Sequence, residues 1–445
     1  MRLTSTRAAL TRKLALDNPQ RTFAVGVFNG ALFSLVGALT DPSVVLVGFA
    51  AHFTDSTFLL GLAGMIPTAG WLMPQLWVSG YLQSRPLSKP VYRAGVTVRS
   101  FARLALVIAV FTVRDPIALL VLFYLIISTE ALAGGVGGLA FMDMVGKVIA
   151  PEHRGLFFSW RIGLGGLLAI GGGAVVRAVL DPASPYPFPH NFGLLFGLAA
   201  AVAVVALMSW LAVDEPPIAA RGASSGPLAQ IRQARQIWRA DANYRVYLTT
   251  RVALLLILVT TPYVTVYARN VFDVPVTMLA IFPGVSAFVT LVSTGAAGWI
   301  SYRWGNRRLI SLGAGVGMVT IVMIVLAAPL GISADAAGVY FLILYVIIAV
   351  RDSMLNVALA ALNINIAPEA RRPLYIGFAN TLMGTVVLAS SAMGLLVDAI
   401  GFQAFFLLML APMLFGLWRV RALQDPSVRR SASVPSLAEE EATRN

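Results

Sequence analysis

The sequence predicts an all-α integral membrane protein of twelve transmembrane helices arranged as two pseudo-symmetric six-helix bundles. Three observations carry that expectation. The apolar residues fall in blocks of roughly 20 to 30, enough to cross a hydrocarbon core about 30 Å thick. Arginine and lysine collect in alternate segments between the blocks. Short motifs recur at a nearly constant offset along the chain. Composition agrees: of 445 residues 58% are hydrophobic and 12% charged, with a mean hydropathy of +0.80, whereas soluble domains carry about 25% charged residues. Lipid cannot satisfy a bare backbone, so a spanning segment is a helix or part of a closed barrel. The alternating strands of about ten residues that build a barrel are not seen, and the blocks read as helices.

In chain order the predicted spans are 22–53, 57–82, 93–113, 116–147, 156–180 and 191–213, then 245–270, 275–299, 307–330, 336–364, 373–398 and 402–420. A basic run, Arg2, Arg7, Arg12, Lys13 and Arg21, precedes the first. That span far exceeds the roughly 7 to 15 apolar residues of a signal peptide, so it is expected to stay as an uncleaved helix. Arg99 and Arg103 interrupt the third span on one helical face and are expected to snorkel or to pair with Asp143. With both termini cytoplasmic, 29 of the 33 Lys and Arg residues fall on the inner side; Arg114, Arg177 and Arg269 lie outside and Arg351 within span ten. The net charge of +13 is thus an orientation signal, and no nucleic-acid partner is expected.

Repetition gives the domain organisation. Ile149-Ala150-Pro151-Glu152-His153-Arg154 after span four recurs as Ile366-Ala367-Pro368-Glu369-Ala370-Arg371 after span ten. Gly80 and Arg85 recur as Gly298 and Arg303, and Pro42 as Pro262, all at offsets close to 218. The expected layout is a basic tail (1–21), a first bundle (22–213), a connector (214–244), a second bundle (245–421) and a disordered tail (422–445). Within the connector Leu228, Ile231, Ala234 and Trp238 share a helical face beside Arg232, Arg235 and Arg239. That pattern suits either a helix lying among lipid head groups or a solvated linker.

The segment after span eight reads Gly298-Trp299-Ile300-Ser301-Tyr302-Arg303-Trp304-Gly305-Asn306-Arg307-Arg308. It resembles the loop signature of the major facilitator superfamily at every anchor except the acidic one, where Tyr302 stands. The copy after span two keeps Gly80, Arg85 and Lys89 but has Ser84 at the acidic position and Leu87 for the second glycine. The resemblance implies the superfamily's fold and a cytoplasmic gating latch at these loops. Loss of both carboxylates puts a charge-based latch in doubt. Span five holds Gly163, Gly165, Gly166, Gly171, Gly172 and Gly173 without the Gly-Pro pair usual in drug–proton antiporters of the family, so that subclass is not supported.

Ionisable groups at membrane depth are costly and mark functional sites by default. Glu130 in span four and Arg351 in span ten lie near mid-depth, Asp352 adjoins Arg351, and Asp41 precedes the helix-breaking Pro42 in span one. In the family spans one, four, seven and ten line a central cavity, so these four can converge. On the functional reading Asp41 or Glu130 takes up a proton while Arg351 holds an anionic group; on the structural one, Glu130 or Asp352 forms an ion pair with Arg351. Asn29 and Asn356 are candidates for solute contact or interhelical hydrogen bonding. Pro42 and Pro262 are helix breaks in corresponding spans, which can frame a binding region.

Other chemistries find no support. There is no cysteine. Gly146-Lys147 is followed by Val148, which is not a phosphate-binding loop, and His52, His153 and His190 lack metal-ligand spacing. The expectation is a monomeric, non-enzymatic transporter in the inner (cell) membrane without cofactor or metal. It would move a small organic solute by alternating access, driven by the solute gradient or coupled to protons. Two alternatives stay open: a non-transporting protein of the same fold, acting as a sensor or a pigment or lipid assembly factor, and a lipid flippase.

Overall fold

A computed structural model describes residues 19–149, 151–217, 226–279, 281–368 and 371–425. Most of the basic tail, most of the acidic C-terminal tail and parts of the repeated Ile-Ala-Pro-Glu motif lie outside the described residues. Among the described residues eleven helices are long and apolar enough to cross a membrane: Pro19–Ala50, Thr57–Leu82, Lys89–Thr112, Pro116–Val148, Trp160–Leu180, His190–Leu211, Ala242–Phe272, Phe282–Ser301, Asn306–Ala327, Ala336–Ile366 and Leu374–Val420. The last has 47 residues, about 70 Å at 1.5 Å per residue, twice what one crossing needs. Gly401, at φ 76° and ψ 163°, breaks it. Counted as two, it completes the expected twelve.

Local sequence explains where the helices start. Asp115 caps span four by accepting from the Ala118 N–H at 2.6 Å, with Pro116 in the first turn, where its missing N–H costs nothing. Asp241 caps span seven through the Tyr244 N–H. Span one is interrupted at Thr40–Asp41. There the Asp41 carboxylate accepts from the Ser43 and Val44 N–H groups, both at 2.9 Å, and opens a π-helical turn, Pro42–Leu46. Pro262 stands in the first turn of the second part of span seven, Thr261–Phe272 after Ala242–Leu258, where no side chain caps the helix.

The loop reading of two signature glycines is corrected, in agreement with the predicted spans 57–82 and 275–299, which contain them. Span eight begins at Phe282, preceded by a short helix, Val276–Leu279, and runs to Trp304. Gly298 therefore lies inside a helix, with no heavy atom within 4 Å of where a Cβ would sit. The turn is made by Gly305 alone, at φ 81° and ψ 159°, a region open essentially only to glycine. Gly80 likewise lies in a helix, Gln75–Gln83. Arg85 and Arg303 stack on Tyr81 and Trp299, Arg307 donates to the Arg421 carbonyl at 2.7 Å, and Arg308 is exposed.

The chain divides into two compact units, Met1–Pro227 with Asn380–Leu395, and Leu228–Ala379 with Leu396–Asn445. In the first, Gly95 of span three meets Gly137 of span four so closely that a Cβ on Gly95 would lie 3.0 Å from the Gly137 Cα. Span two breaks at Pro74, between Thr57–Leu72 and Gln75–Gln83. Thr381 bridges the break, donating to the Met73 carbonyl at 2.9 Å and accepting from the Leu76 N–H at 3.1 Å. At the end of the unit Glu215, its side chain 1% exposed, caps span three by accepting from the Ser88 and Lys89 N–H groups at 2.7 Å. Lys147 meets the same carboxylate at 2.7 Å.

In the second unit Asp425 does the corresponding work, accepting from the Asn306 N–H at the start of span nine at 2.7 Å. The helix Pro227–Ala240 precedes span seven. Its inward face is Ala234 and Ile237, whereas Leu228 (73% exposed) and Ile231 point outward with Arg232, Arg235 and Arg239. The predicted apolar face is thus split between core and surface.

Candidate functional site

The sequence places three charges at the depth where they are hardest to solvate. Span three starts at Lys89, not residue 93, because Pro90 is accommodated in the first turn. That start puts Arg99 and Arg103 about 15 and 21 Å along a 24-residue helix, on either side of its midpoint and beyond easy snorkelling reach. Both guanidinium groups turn to Glu130 on span four. Arg99 donates through Nε at 3.0 Å and Nη2 at 2.6 Å, and Arg103 through Nη2 at 2.7 Å, all to Glu130 Oε1. The expected pairing with Asp143 is therefore overturned, as is that of Glu130 with Arg351. Asp143 instead meets Lys147 at 2.7 Å and accepts from Ser88.

A run of glycines one turn beyond Glu130 makes room for the cluster. A Cβ on Gly134 would lie 3.3 Å from the Arg99 Cζ and 3.2 Å from the Trp71 ring. Arg99 sits 4.9 Å from the Phe33 ring centroid and 5.9 Å from that of Trp71, in range for cation–π attraction. This arrangement holds the guanidinium plane without using further hydrogen bonds. Arg103, 9% exposed, has no hydrogen-bond partner at Nε.

Arg99, Arg103 and Glu130 line a cavity of about 440 Å³ framed by the first, second, third, fourth and sixth spans. Phe33, Thr40, Pro42 and Leu46 come from span one, Pro67, Thr68 and Trp71 from span two, and Phe196 from span six. Its size and mostly apolar wall with a few convergent polar groups are those of small-molecule sites. The two hydroxyls and the charged cluster are its polar features. Two cations against one carboxylate leave the chamber a net charge of +1.

The other candidates are distributed as follows. Asp41 is not in the wall; it caps the turn whose neighbours Thr40 and Pro42 are. Asn29 is buried and donates to the Ala206 carbonyl while accepting from Arg161 at 3.1 Å, an interhelical bond. Arg351 and Asp352 belong to the second unit, where Arg351, 2% exposed, donates to Asp352 at 2.7 Å and to the Thr261 hydroxyl at 3.4 Å. Pro262 adjoins that threonine. Asn356 is exposed. Trp71, Arg99 and Arg103 were missed as site residues, and so was Arg161, whose guanidinium lies 4.6 Å from the Phe141 ring centroid and donates to the Gly26 carbonyl.

Solved structures similar to the chain include several transporters. A bacterial homologue of the iron transporter ferroportin, outward-facing with soaked iron, is 18% identical with a TM-score of 0.59, covering 91% of this chain and 98% of that one. A D-xylose–proton symporter is 14% identical with a TM-score of 0.70 over 91% and 98%. A nucleoside transporter is 13% identical with a TM-score of 0.65 over 89% and 99%. At these identities the likeness is one of fold. No curated protein matches the chain. The sequence model of the Major Facilitator Superfamily matches residues 22–385, and with twelve spans and a buried charge cluster beside a solute-sized cavity already described, the chain belongs to that superfamily.

Proposed function

We propose that the protein is a proton-coupled secondary transporter that moves a small organic solute across the inner membrane by alternating access, with both termini cytoplasmic. The chamber framed by the first four spans and the sixth holds the solute. The observation that carries this reading is the convergence of Arg99 and Arg103 on Glu130 Oε1 beside a 440 Å³ cavity. A purely structural ion pair needs neither the second cation nor the open volume, and ionisable groups at this depth are costly to keep. The break at Asp41–Pro42 supports the same reading, since discontinuous helices commonly frame transporter sites. Superfamily membership supports transport. The similar structures carry iron, xylose with protons, and nucleosides, so their cargo does not transfer.

Glu130 is the carboxylate best placed for coupling. Ionised, it holds both guanidinium groups; protonated, it releases them to a solute, so proton and solute share one set of donors. Flux into proteoliposomes, with and without an imposed pH gradient and across anionic, neutral and cationic solutes, tests the reading. Wild type should show gradient-accelerated flux. Glu130→Gln should lose the gradient response yet keep solute exchange. Asp41→Asn, whose retained Oδ1 can still cap the turn, should behave as wild type. An unchanged pH profile in Glu130→Gln removes the coupling role, and no flux of any solute removes the transport reading.

A further inference from the structure

The transport reading leaves the solute's chemistry open, and the charge balance of the chamber narrows it. The groups that face the cavity from each span are known. Span three supplies Arg99 and Arg103, span four supplies Glu130, and spans one, two and six supply only hydroxyl, aromatic and aliphatic side chains. Asp41, beside the wall, has its Oδ1 engaged by two N–H groups of the turn that follows. Among the residues that line the cavity, one positive charge has no acidic counterpart, at a depth where solvation is poor. Arg103, 9% exposed, lines the cavity, and its Nε, closed off from solvent, has no hydrogen-bond partner, so the guanidinium is held only through its Nη2 contact with Glu130. A guanidinium has five donors in a fork matched to carboxylate and phosphate oxygens. Much of the remaining lining, including Leu46, Pro67, Leu106 and Ile127, is apolar and suits an apolar body.

We propose that the chamber takes a soluble organic anion, its carboxylate, sulfonate or phosphate group seated on Arg103 beside Arg99 and its apolar body against Leu46, Leu106 and Ile127. The assignment rests on the transport reading only for the claim that this anion is also carried; occupancy of the site is independent of it. Glu130 sets the ceiling on affinity, because the anion must share Arg99 and Arg103 with a carboxylate already bound to them. The site therefore favours a monoanion over a dianion, which would exceed the single spare charge.

The test uses the full chain in nanodiscs of zwitterionic lipid and three ligands with one body: 4-phenylbutyrate, its uncharged amide, and 4-phenylbutylamine. Calorimetric titration should give the carboxylate at least a tenfold lower Kd than either analogue. Arg103→Gln should abolish that preference, Arg103→Lys should keep part of it, and Arg232→Gln, on the connector helix, should leave it unchanged. A monodisperse, cooperatively unfolding Arg103→Gln sample separates lost recognition from lost folding, and Trp71→Ala gives a second, charge-neutral variant expected to weaken all three ligands equally. The proposal is overturned by equal binding of the three, by tighter binding of the amine, by no binding of any, or by an equal loss of preference in Arg232→Gln. Competition by a small fraction of phosphatidylglycerol would reassign the chamber to lipid head groups and overturn the soluble solute. Selective binding without flux of labelled 4-phenylbutyrate leaves the anion site standing and removes transport. Flux of neutral or cationic solutes without anion preference does the reverse.

Discussion

Replacing Glu130 by Gln is the sharpest probe of the chamber, because it changes one charge and little shape. The net charge of the cluster rises from +1 to +2 while an acceptor oxygen remains where Oε1 stood. Three donor contacts, at 3.0, 2.6 and 2.7 Å, lose their charge-assisted character together. Removing one partner of a buried ion pair costs about 3–5 kcal/mol. The Glu130 side chain keeps 22% exposure, so the lower end applies, about 3 kcal/mol. Arg103→Gln should cost less, about 1–2 kcal/mol, since it leaves a neutral Arg99–Glu130 pair. In the double variant the net charge returns to +1, and the penalties should fall short of their sum by about 1–3 kcal/mol. Unfolding from mixed micelles, followed by tryptophan fluorescence and run as a double-mutant cycle, reads these differences. A Glu130→Gln protein within about 0.5 kcal/mol of wild type, or a strictly additive cycle, would mean that Glu130 does not hold the two arginines in the folded state.

Two further predictions concern the scaffold. Glu215→Ala should destabilise the first unit by about 3 kcal/mol, because it strips span three of its cap and Lys147 of one of its two acidic partners, with Glu215→Gln costing visibly less; equal stability of all three proteins in the same assay would refute the cap. Among the glycines, Gly305→Ala and Gly401→Ala should each cost about 1–3 kcal/mol for forcing a side chain into a glycine-only backbone region. Gly298→Ala, helical and open around its Cβ, should be neutral or stabilising by up to about 1 kcal/mol, and the opposite ranking would contradict the backbone geometry.

Much of the fold was legible because hydropathy and charge sidedness report burial in lipid directly. Glu130 was legible for the same reason, as a carboxylate deep inside an apolar run. Arg99 and Arg103 were misread through a single boundary. With Ser88-Lys89-Pro90 taken as loop, the arginines lay near a span end, where snorkelling is plausible. With Pro90 inside the first turn they move to mid-depth, and a carboxylate partner becomes obligatory. The loop signature was legible as a motif but not as geometry, since only Gly305 of its glycines makes the turn. The Glu215 cap joins residues 127 positions apart, a distance at which no local pattern speaks. Asp41 was singled out for its charge, yet the N–H groups exposed by Pro42 use that charge as a cap.

The duplication makes the asymmetry of the two units informative. Features needed to fold each half occur twice: a proline-marked break in spans one and seven, and an acidic residue capping spans three and nine, Glu215 and Asp425. The charge cluster does not. At an offset of 218 residues, Arg99, Arg103 and Glu130 correspond to Gly317, Ile321 and Ile348. In the second unit the buried cation comes from span ten instead. A Cβ on Gly317 would lie 3.2 Å from the Arg351 Cδ, so the glycine at the Arg99 position is what lets Arg351 lie against span nine. Arg351 is matched by its neighbour Asp352 at 2.7 Å, a neutral pair without surplus charge. A cluster confined to one half, with two cations on one carboxylate beside open volume, is the arrangement that the proposed anion site requires.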